Sequence, residues 1–337
     1  MLVSRTLLGR QERGGLDVPL RALLQCLSPG GARGRLTVLI FHRVRTSPDP
    51  LFPGEPDAQA FEQQMRWVRH WFEPLPLEEA VALLHTGQLP PRALCITFDD
   101  GYADNLTVAL PVLQRLGLPA TFFIATGFLD GGIMWNDQVI EAVRQSRANP
   151  LALDDLDLGV HPLGSVEEKR AAIAALIGAL KYLPLEARAE KLAALVERTG
   201  ARLPRDLMLT SDQLRALRRA GMGIGAHTVH HPILAKVGAQ EAREEIVEGA
   251  SRLEELLREP VRLFAYPNGR PGRDYAPEHV AMVRELGFAA AFSTAWGAAG
   301  TGCDPFQIPR FTPWDRTRIR YGLRLARNLL RRPALCH

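Results

Sequence analysis

The stretch "ALCITFDDGYADN", Ala93 to Asn105, runs a short apolar segment straight into two adjacent carboxylates and a glycine. A continuous apolar run of this length reads as a buried strand, and Asp99 and Asp100 stand where it stops. A structural turn needs only one such group, and two like charges in contact repel.

The same pattern recurs along the chain. "LTVLIFHRV" (36–44), "PATFFIATG" (119–127), "GMGIGAH" (221–227), "VRLFAYP" (261–267) and "GFAAAFST" (287–294) are further candidate strands. Amphipathic stretches lie between them. In 57–72, Phe61, Met65 and Val68 fall on one helical face, and Ala239–Leu257 carries Ile246, Val247, Leu253, Leu256 and Leu257. Buried strands alternating with such helices predict an α/β fold with a parallel sheet. The alternation breaks at about 135–217, where helices and loops are expected but no strand. "SVEEKRAAIAALIGALKYL" opens on Ser165 and Glu168, a capping-box spacing. A second helix follows Pro184 and ends at Gly200. This region is expected to be a helical insertion that roofs one end of the sheet.

Composition excludes several classes. The 337 residues are 46% apolar and 23% charged, with a net charge of +4, ordinary for a soluble globular chain. Cys26, Cys95, Cys303 and Cys336 are far apart, with neither a CxxC pair nor disulfide-scaffold density. No run reaches the ~18 apolar residues of a membrane span. The N-terminal residues lack an uninterrupted apolar signal core, so the expected location is cytoplasmic. Nucleic acid is not an expected partner. After Asp315 no acid occurs, while Arg316, Arg318, Arg320, Arg324, Arg327, Arg331 and Arg332 follow, interleaved with Leu323, Leu325, Leu329 and Leu330. This pattern reads either as a terminal helix docked on its own domain or as a basic amphipathic helix making peripheral contact with an anionic membrane.

In parallel α/β folds the working residues gather at the C-terminal ends of strands. Here those ends carry His42, Asp99-Asp100, His227, and Tyr266-Pro267-Asn268-Gly269. His227 and His231 are spaced i, i+4, which in a helical turn puts both rings on one face, and imidazole with carboxylate suits Zn²⁺. Each signal has a plainer reading. An HxxxH pair is often structural, and Asp99-Asp100 would also suit the start of a helix over Tyr102–Leu116. Taken together they point to a divided task, since successive side chains at a strand end point in different directions. One carboxylate binds a cation, and its neighbour is left free to accept a proton.

"TFDDG" followed by "HTVHH" and a proline-containing strand end resembles the polysaccharide deacetylase family, the NodB-homology carbohydrate esterases. The likeness covers roughly 36–130 and 220–313. It implies a distorted (β/α) barrel with the helical insertion, so that 1–35 is an N-terminal extension, 36–313 the deacetylase domain and 314–337 a basic C-terminal helix. It also implies Asp99 as general base and Asp100, His227 and His231 as ligands of a divalent metal, with zinc favoured, leaving His230 a bystander. Two departures stand out. "FAYPNG" puts Ala265 where most members carry an arginine that orients the base, and the late Leu-x-His motif that supplies the general acid is missing. Both features resemble the FAYP-type exopolysaccharide deacetylases with a permuted domain, in which an N-terminal "YH" strand end supplies the acid, here His42 in "FHRV". Trp135, Asp137, Tyr266, Asn268 and Arg310 are the expected substrate-side residues. Trp135 reads either as a ring that stacks on a sugar or as a core cap, Asp137 either orients a site residue or caps the helix that follows, and Arg310 reads either as a substitute for the missing arginine or as a surface ion pair. The implied activity is removal of N-acetyl groups from a polysaccharide or glycan precursor. The alternatives are a glycan-binding protein without catalysis, and an O-deacetylase or other C–N hydrolase using the same site.

Overall fold

The computed structural model describes residues 17–312 and 314–335. The first half of the predicted N-terminal extension and Cys336 therefore lie outside the described residues. Among the described residues ten strands form: β1 (Arg35–Phe41), β2 (Glu73–Pro74), β3 (Ala93–Phe98), β4 (Thr121–Ile124), β5 (Leu151–Leu153), β6 (Gly159–His161), β7 (Gly223–Ala226), β8 (Leu263–Ala265), β9 (Ala290–Phe292) and β10 (Ala299–Gly300). Six strands run parallel in the order β1-β3-β4-β7-β8-β9. β2 adds parallel to β3, and β10 pairs antiparallel with β1.

The sheet curls until its edges nearly meet, and the segment 308–311 fills the gap. Ile308 exchanges backbone hydrogen bonds with Ala291 and Ser293 beside β9, while Phe311 does so with Val38 and Ile40 of β1. The result is the distorted barrel of the NodB type. Side chains alternate across it, as the period of two demands. Leu36, Val38, Ala93, Cys95, Phe123, Leu263, Ala265, Phe292 and Ile308 form an inner cluster, with Leu77, Val81 and Leu84 of the helix Leu77–His85 packed into it. Leu39, Phe41, Leu94, Ile96, Phe98, Phe122 and Phe264 face outward into the larger core beneath the covering helices. Asp99 continues the inward series Ala93, Cys95, Thr97, and His227 follows the outward-facing Ala226, so both point toward the barrel axis at its C-terminal mouth.

The helices form where the periodicity placed them. Ala58–Trp71 buries Phe61, Met65, Val68 and Trp71, and Ala239–Leu257 buries Ile246, Leu253 and Leu256. The capping box of Ser165 and Glu168 starts Val166–Leu180, and Gly200 closes Leu185–Thr199 in the left-handed conformation. The sequence reading needs correction in three places. β1, β4, β8 and β9 end two or three residues before the quoted runs do and β7 one before, because the last residues of those runs turn into loops at the mouth, whereas β3 ends at Phe98 as read. The helix after Asp99-Asp100 begins only at Asn105, with a wide π turn, so the carboxylates do not cap it. Within 135–217 a strand pair does exist, β5 against β6, joined through a left-handed Asp157. Three residues per strand are too few to show an alternating pattern.

The insertion has its own apolar cluster, built from Val139, Val143, Leu151, Leu153, Ile173, Leu176, Leu180, Leu192 and Leu195. The C-terminal helix Arg318–Leu330 docks on the barrel through buried Tyr321, Leu325 and Leu329, against the helices Asp17–Leu27 and Ala58–Trp71. No helix among the described residues is long and apolar enough to cross a membrane.

Candidate active site

At the barrel mouth Asp100, His227 and His231 converge. Nε2 of each histidine lies 3.5 Å from Asp100 Oδ1, and one ligand atom from each residue falls within 4.8 Å of the others. The backbone makes this possible by bending sharply. Asp100 has φ +75°, Thr228 +66° and His231 +53°, conformations that L-residues adopt rarely and that cluster at functional sites. The two histidines therefore meet across a left-handed loop and not a helical turn, which corrects the i, i+4 argument.

Several contacts hold that loop. His227 Nδ1–H donates to the Ala265 carbonyl at 2.7 Å. A carbonyl only accepts, so the proton sits on Nδ1 and the Nε2 lone pair points inward. The His231 N–H donates to Thr228 Oγ1. Glu245, from the helix Ala239–Leu257, accepts from the N–H groups of Val229 and His230 and pairs at 2.7 Å with His230 Nδ1. His230 is thereby turned outward, away from its two neighbours. Gly249 of the same helix lies directly under the loop, where a Cβ would come within 2.7 Å of the Thr228 backbone.

The charges at the centre fit a cation. Asp100 Oδ1 is buried and accepts no hydrogen bond, an orphan that only a cation or proton satisfies. Burial pushes the Asp100 carboxyl up, but His227 and His231 outweigh it and hold the group well below the usual range. For His231, burial wins over the carboxylates, and its pKa falls to about 4. His227 is desolvated too, yet Asp99 and Asp100 raise it. At neutral pH this leaves an ionised Asp100 and a neutral His231, the forms that ligate metals.

Asp99 stands next to this triangle, its Oδ2 3.8 Å from His227 Nε2. Arg310 holds it from behind, with Nη1 donating to Oδ1 at 2.6 Å and Nη2 to Oδ2 at 2.7 Å. Arg310 Nε donates to the Ser293 carbonyl, and the guanidinium lies 5.2 Å from the centre of the Phe123 ring. Burial raises the Asp99 pKa, but the charges of Arg310 and His227 override it and keep the group low. The carboxylate is therefore ionised at neutral pH.

A cavity of about 420 Å³ opens over these groups. His42, Trp135, Asn268, Lys181, Arg270 and Trp296 are among its walls. His42 is exposed at the end of β1, its carbonyl tied to Asn105 Nδ2. Trp135 is half-buried, with Arg188 stacked 4.8 Å from its ring centre. Tyr266, Asp137 and Arg310 do not line the cavity. Tyr266 is fully buried and donates its hydroxyl to the Phe306 carbonyl. Arg310 is fully buried behind Asp99. Asp137 accepts from Tyr102 Oη at 2.9 Å, and burial pushes its carboxyl up to about 7.

Sequence reasoning missed a set of supporting residues. Arg43 pairs with Asp104 at 2.8 Å and stacks over Tyr102, which joins the loop after His42 to the loop after Asp100. Their adjacency to the singled-out strand ends was the available signal. Arg270, Thr294 and Trp296 adjoin the ends of β8 and β9 in the same way, whereas Lys181, from the insertion, had no such signal.

The polysaccharide deacetylase family model matches residues 86–161 and 171–291, more than half of the chain. The chain belongs to the polysaccharide deacetylase family. It is 21% identical over 267 residues to the Bacillus subtilis protein YxkH, which carries a polysaccharide deacetylase name, covering 79% of this chain and 66% of that one. To the poly-beta-1,6-N-acetyl-D-glucosamine N-deacetylase of Staphylococcus epidermidis it is 26% identical over 111 residues, 33% of this chain and 38% of that one. It therefore spans less than two thirds of these relatives' lengths. Among solved structures, the Streptococcus pyogenes deacetylase PplD superposes with a TM-score of 0.58 at 18% identity, over 88% of this chain and 98% of that one. IcaB from Ammonifex degensii gives 0.56 at 19% identity, over 90% and 99%. These likenesses establish the shared fold.

Proposed function

We infer that the protein is a metal-dependent hydrolase that removes N-acetyl groups from amino sugars of a glycan. The observation that carries this reading is the buried, partnerless Asp100 Oδ1 between two inward-facing imidazoles, with a second carboxylate clamped alongside. The N-deacetylase name of the staphylococcal relative supports the choice of bond.

Asp100, His227 and His231 would hold a divalent cation, zinc being the best match to one oxygen and two nitrogen donors. Such an ion supplies Lewis-acid polarisation of the acetamide carbonyl. The chain's own groups do the rest. Asp99, ionised and fixed by Arg310, takes a proton from the water that attacks the carbonyl carbon. As the C–N bond breaks, His42 gives a proton to the departing nitrogen, and acetate and a free amine leave. Trp135 and Asn268 on the cavity wall position the sugar.

The alternative of a glycan binder without catalysis rested on Ala265 replacing an arginine. The pairing of Arg310 with Asp99 supports the catalytic reading instead. Acetate release from N-acetylglucosamine oligomers, with and without a chelator, tests the proposal. Turnover that is lost on chelation and restored by zinc is expected. Absence of acetate from every metal-loaded sample would sink it, and faster release from O-acetylated sugars would reassign the bond.

A further inference from the structure

Next to the active-site cavity lies a second, larger cleft of about 680 Å³, lined by Trp296, Asp315, Arg320, Arg324, Arg327 and Arg331 among others. Trp296 is a wall of both spaces, so the two adjoin across one indole. The cleft is strongly cationic. Arg320, Arg324, Arg327 and Arg331 recur at intervals of four, three and four, which puts them on one stripe of the C-terminal helix and its cap. Like charges at i, i+4 repel and weaken a helix. Among the described residues Asp315 is the only carboxylate on the cleft wall, and Arg324 already engages it. Among those same residues Arg320, Arg327 and Arg331 have no acidic partner.

This charge is presented on a fixed scaffold. Asn328 Nδ2, buried, donates to the Gly297 carbonyl at 3.0 Å, tying the helix to the residue after Trp296. Arg35 Nη1 donates to the Leu329 carbonyl. Gly297 has φ +153°, and a Cβ there would lie 2.9 Å from Pro333 N, so helix end and tryptophan loop are in direct contact. Trp296 and Trp314 lie 5.1 Å apart, with Arg331 and Arg324 stacked on them at 5.2 and 4.1 Å. Both indoles remain about two-fifths exposed. On the other side of Trp296, Lys181 and Arg270 add positive charge to the active-site cavity itself.

We propose that this cleft is an extended subsite for an anionic glycan, one in which sugars next to the processed N-acetylhexosamine carry carboxylate or phosphate groups. Guanidinium forks match either anion in bidentate fashion. The flat indoles give sugar rings an apolar platform. Exposed Leu323 and Leu330 on the same wall make a membrane surface the competing occupant, but the wall shared with the active-site cavity through Trp296 favours the glycan. The proposal deepens the deacetylase reading and rests on it for the identity of the processed sugar.

Binding to the full chain, followed by tryptophan fluorescence, separates this idea from the catalytic one. Three probes are compared: a hexasaccharide alternating N-acetylglucosamine with glucuronate, an N-acetylglucosamine hexamer bearing 6-phosphates, and the neutral hexamer. At least one anionic probe should bind about tenfold tighter than the neutral one. That advantage should shrink to under about threefold in Arg320→Gln/Arg327→Gln, and likewise in about 0.5 M salt. Both positions are exposed, and an unchanged melting temperature in the double variant shows the fold intact. Equal binding of all three probes overturns the proposal, as does an advantage that survives the substitutions. Phosphatidylglycerol vesicles are the comparison arm. If only vesicle binding depends on these arginines, the cleft is a lipid contact and the proposal fails. A preference for anionic probes without acetate release would retain the cleft and refute the deacetylase; acetate release without the preference would do the reverse.

Discussion

Arg310 and Asp99, 211 positions apart in the chain, form a two-pronged ion pair sealed from solvent at the mouth of the barrel. Desolvated pairs of this kind are weak evidence of stability but costly to break. Arg310→Ala leaves an unmatched buried carboxylate and should destabilise the fold by about 3–5 kcal/mol. Arg310→Lys keeps the charge and loses the fork. Its expected signature is a kcat lower by about 10²-fold with the metal content unchanged, since small misplacements of a reacting group are that expensive. Thermal melts beside metal analysis and acetate assays make the comparison.

Asp99→Asn should retain the metal and abolish turnover, because a side-chain amide offers no basic oxygen. Asp100→Ala, His227→Ala or His231→Ala should each lose the metal itself. Elemental analysis after gel filtration distinguishes the two patterns. Equal metal loss in all four variants would mean that Asp99 is a ligand and not a base.

Asp137 predicts a pH dependence of stability. Its carboxyl is raised in the fold to about 7, mainly by burial, so the native state keeps a proton that the unfolded chain has released. Native stability therefore drops as pH climbs from about 4 to 7, and the full penalty persists above that. Asp137→Asn, which can still accept from the Tyr102 hydroxyl, should melt higher than the wild type at pH 8. The gain should vanish near pH 4. A melting difference that is flat across this range would refute the assignment.

Gly249→Ala should harm the site from a distance. The added methyl meets the Thr228 backbone and pushes the helix Ala239–Leu257 off the loop bearing His227 and His231. A stability loss of about 1–3 kcal/mol together with weaker zinc affinity is expected. His230→Ala, by contrast, removes a ring that faces Glu245, and zinc affinity should stay within about twofold. Competition titrations with a chromogenic chelator measure both.

Much of this was legible beforehand, for physical reasons. Continuous apolar runs announced the barrel strands, and the polar residues that end them announced the mouth, because period-two geometry and the parallel topology leave few other arrangements. Residue type and spacing suggested that His227 and His231 share an ion with one of the two carboxylates, and only the family resemblance implied that it is Asp100; the left-handed loop that brings them together was not foreseeable. Nothing local marks Thr228 or His231 as having positive φ. Arg310 in "IPRF" could be named as a candidate for the missing arginine but not told from a surface ion pair. Its meaning depends on ring closure, which joins segments more than two hundred residues apart. The β5–β6 pair was too short to leave a pattern. The buried places of Tyr266, just after β8, and Asp137, in the first turn of the helix Trp135–Gln145, arise from packing behind the mouth, where a polar residue looks the same in sequence as one facing the cavity.

The arginine that steadies Asp99 arrives on the segment that seals the barrel, near the end of the chain. During synthesis, both carboxylates and all three mouth histidines emerge from the ribosome well before it does. Until Ile308–Phe311 inserts between β9 and β1, Asp99 lacks its two-pronged partner and the ring stays open. Closing the fold and fixing the Asp99 carboxylate are thus one event.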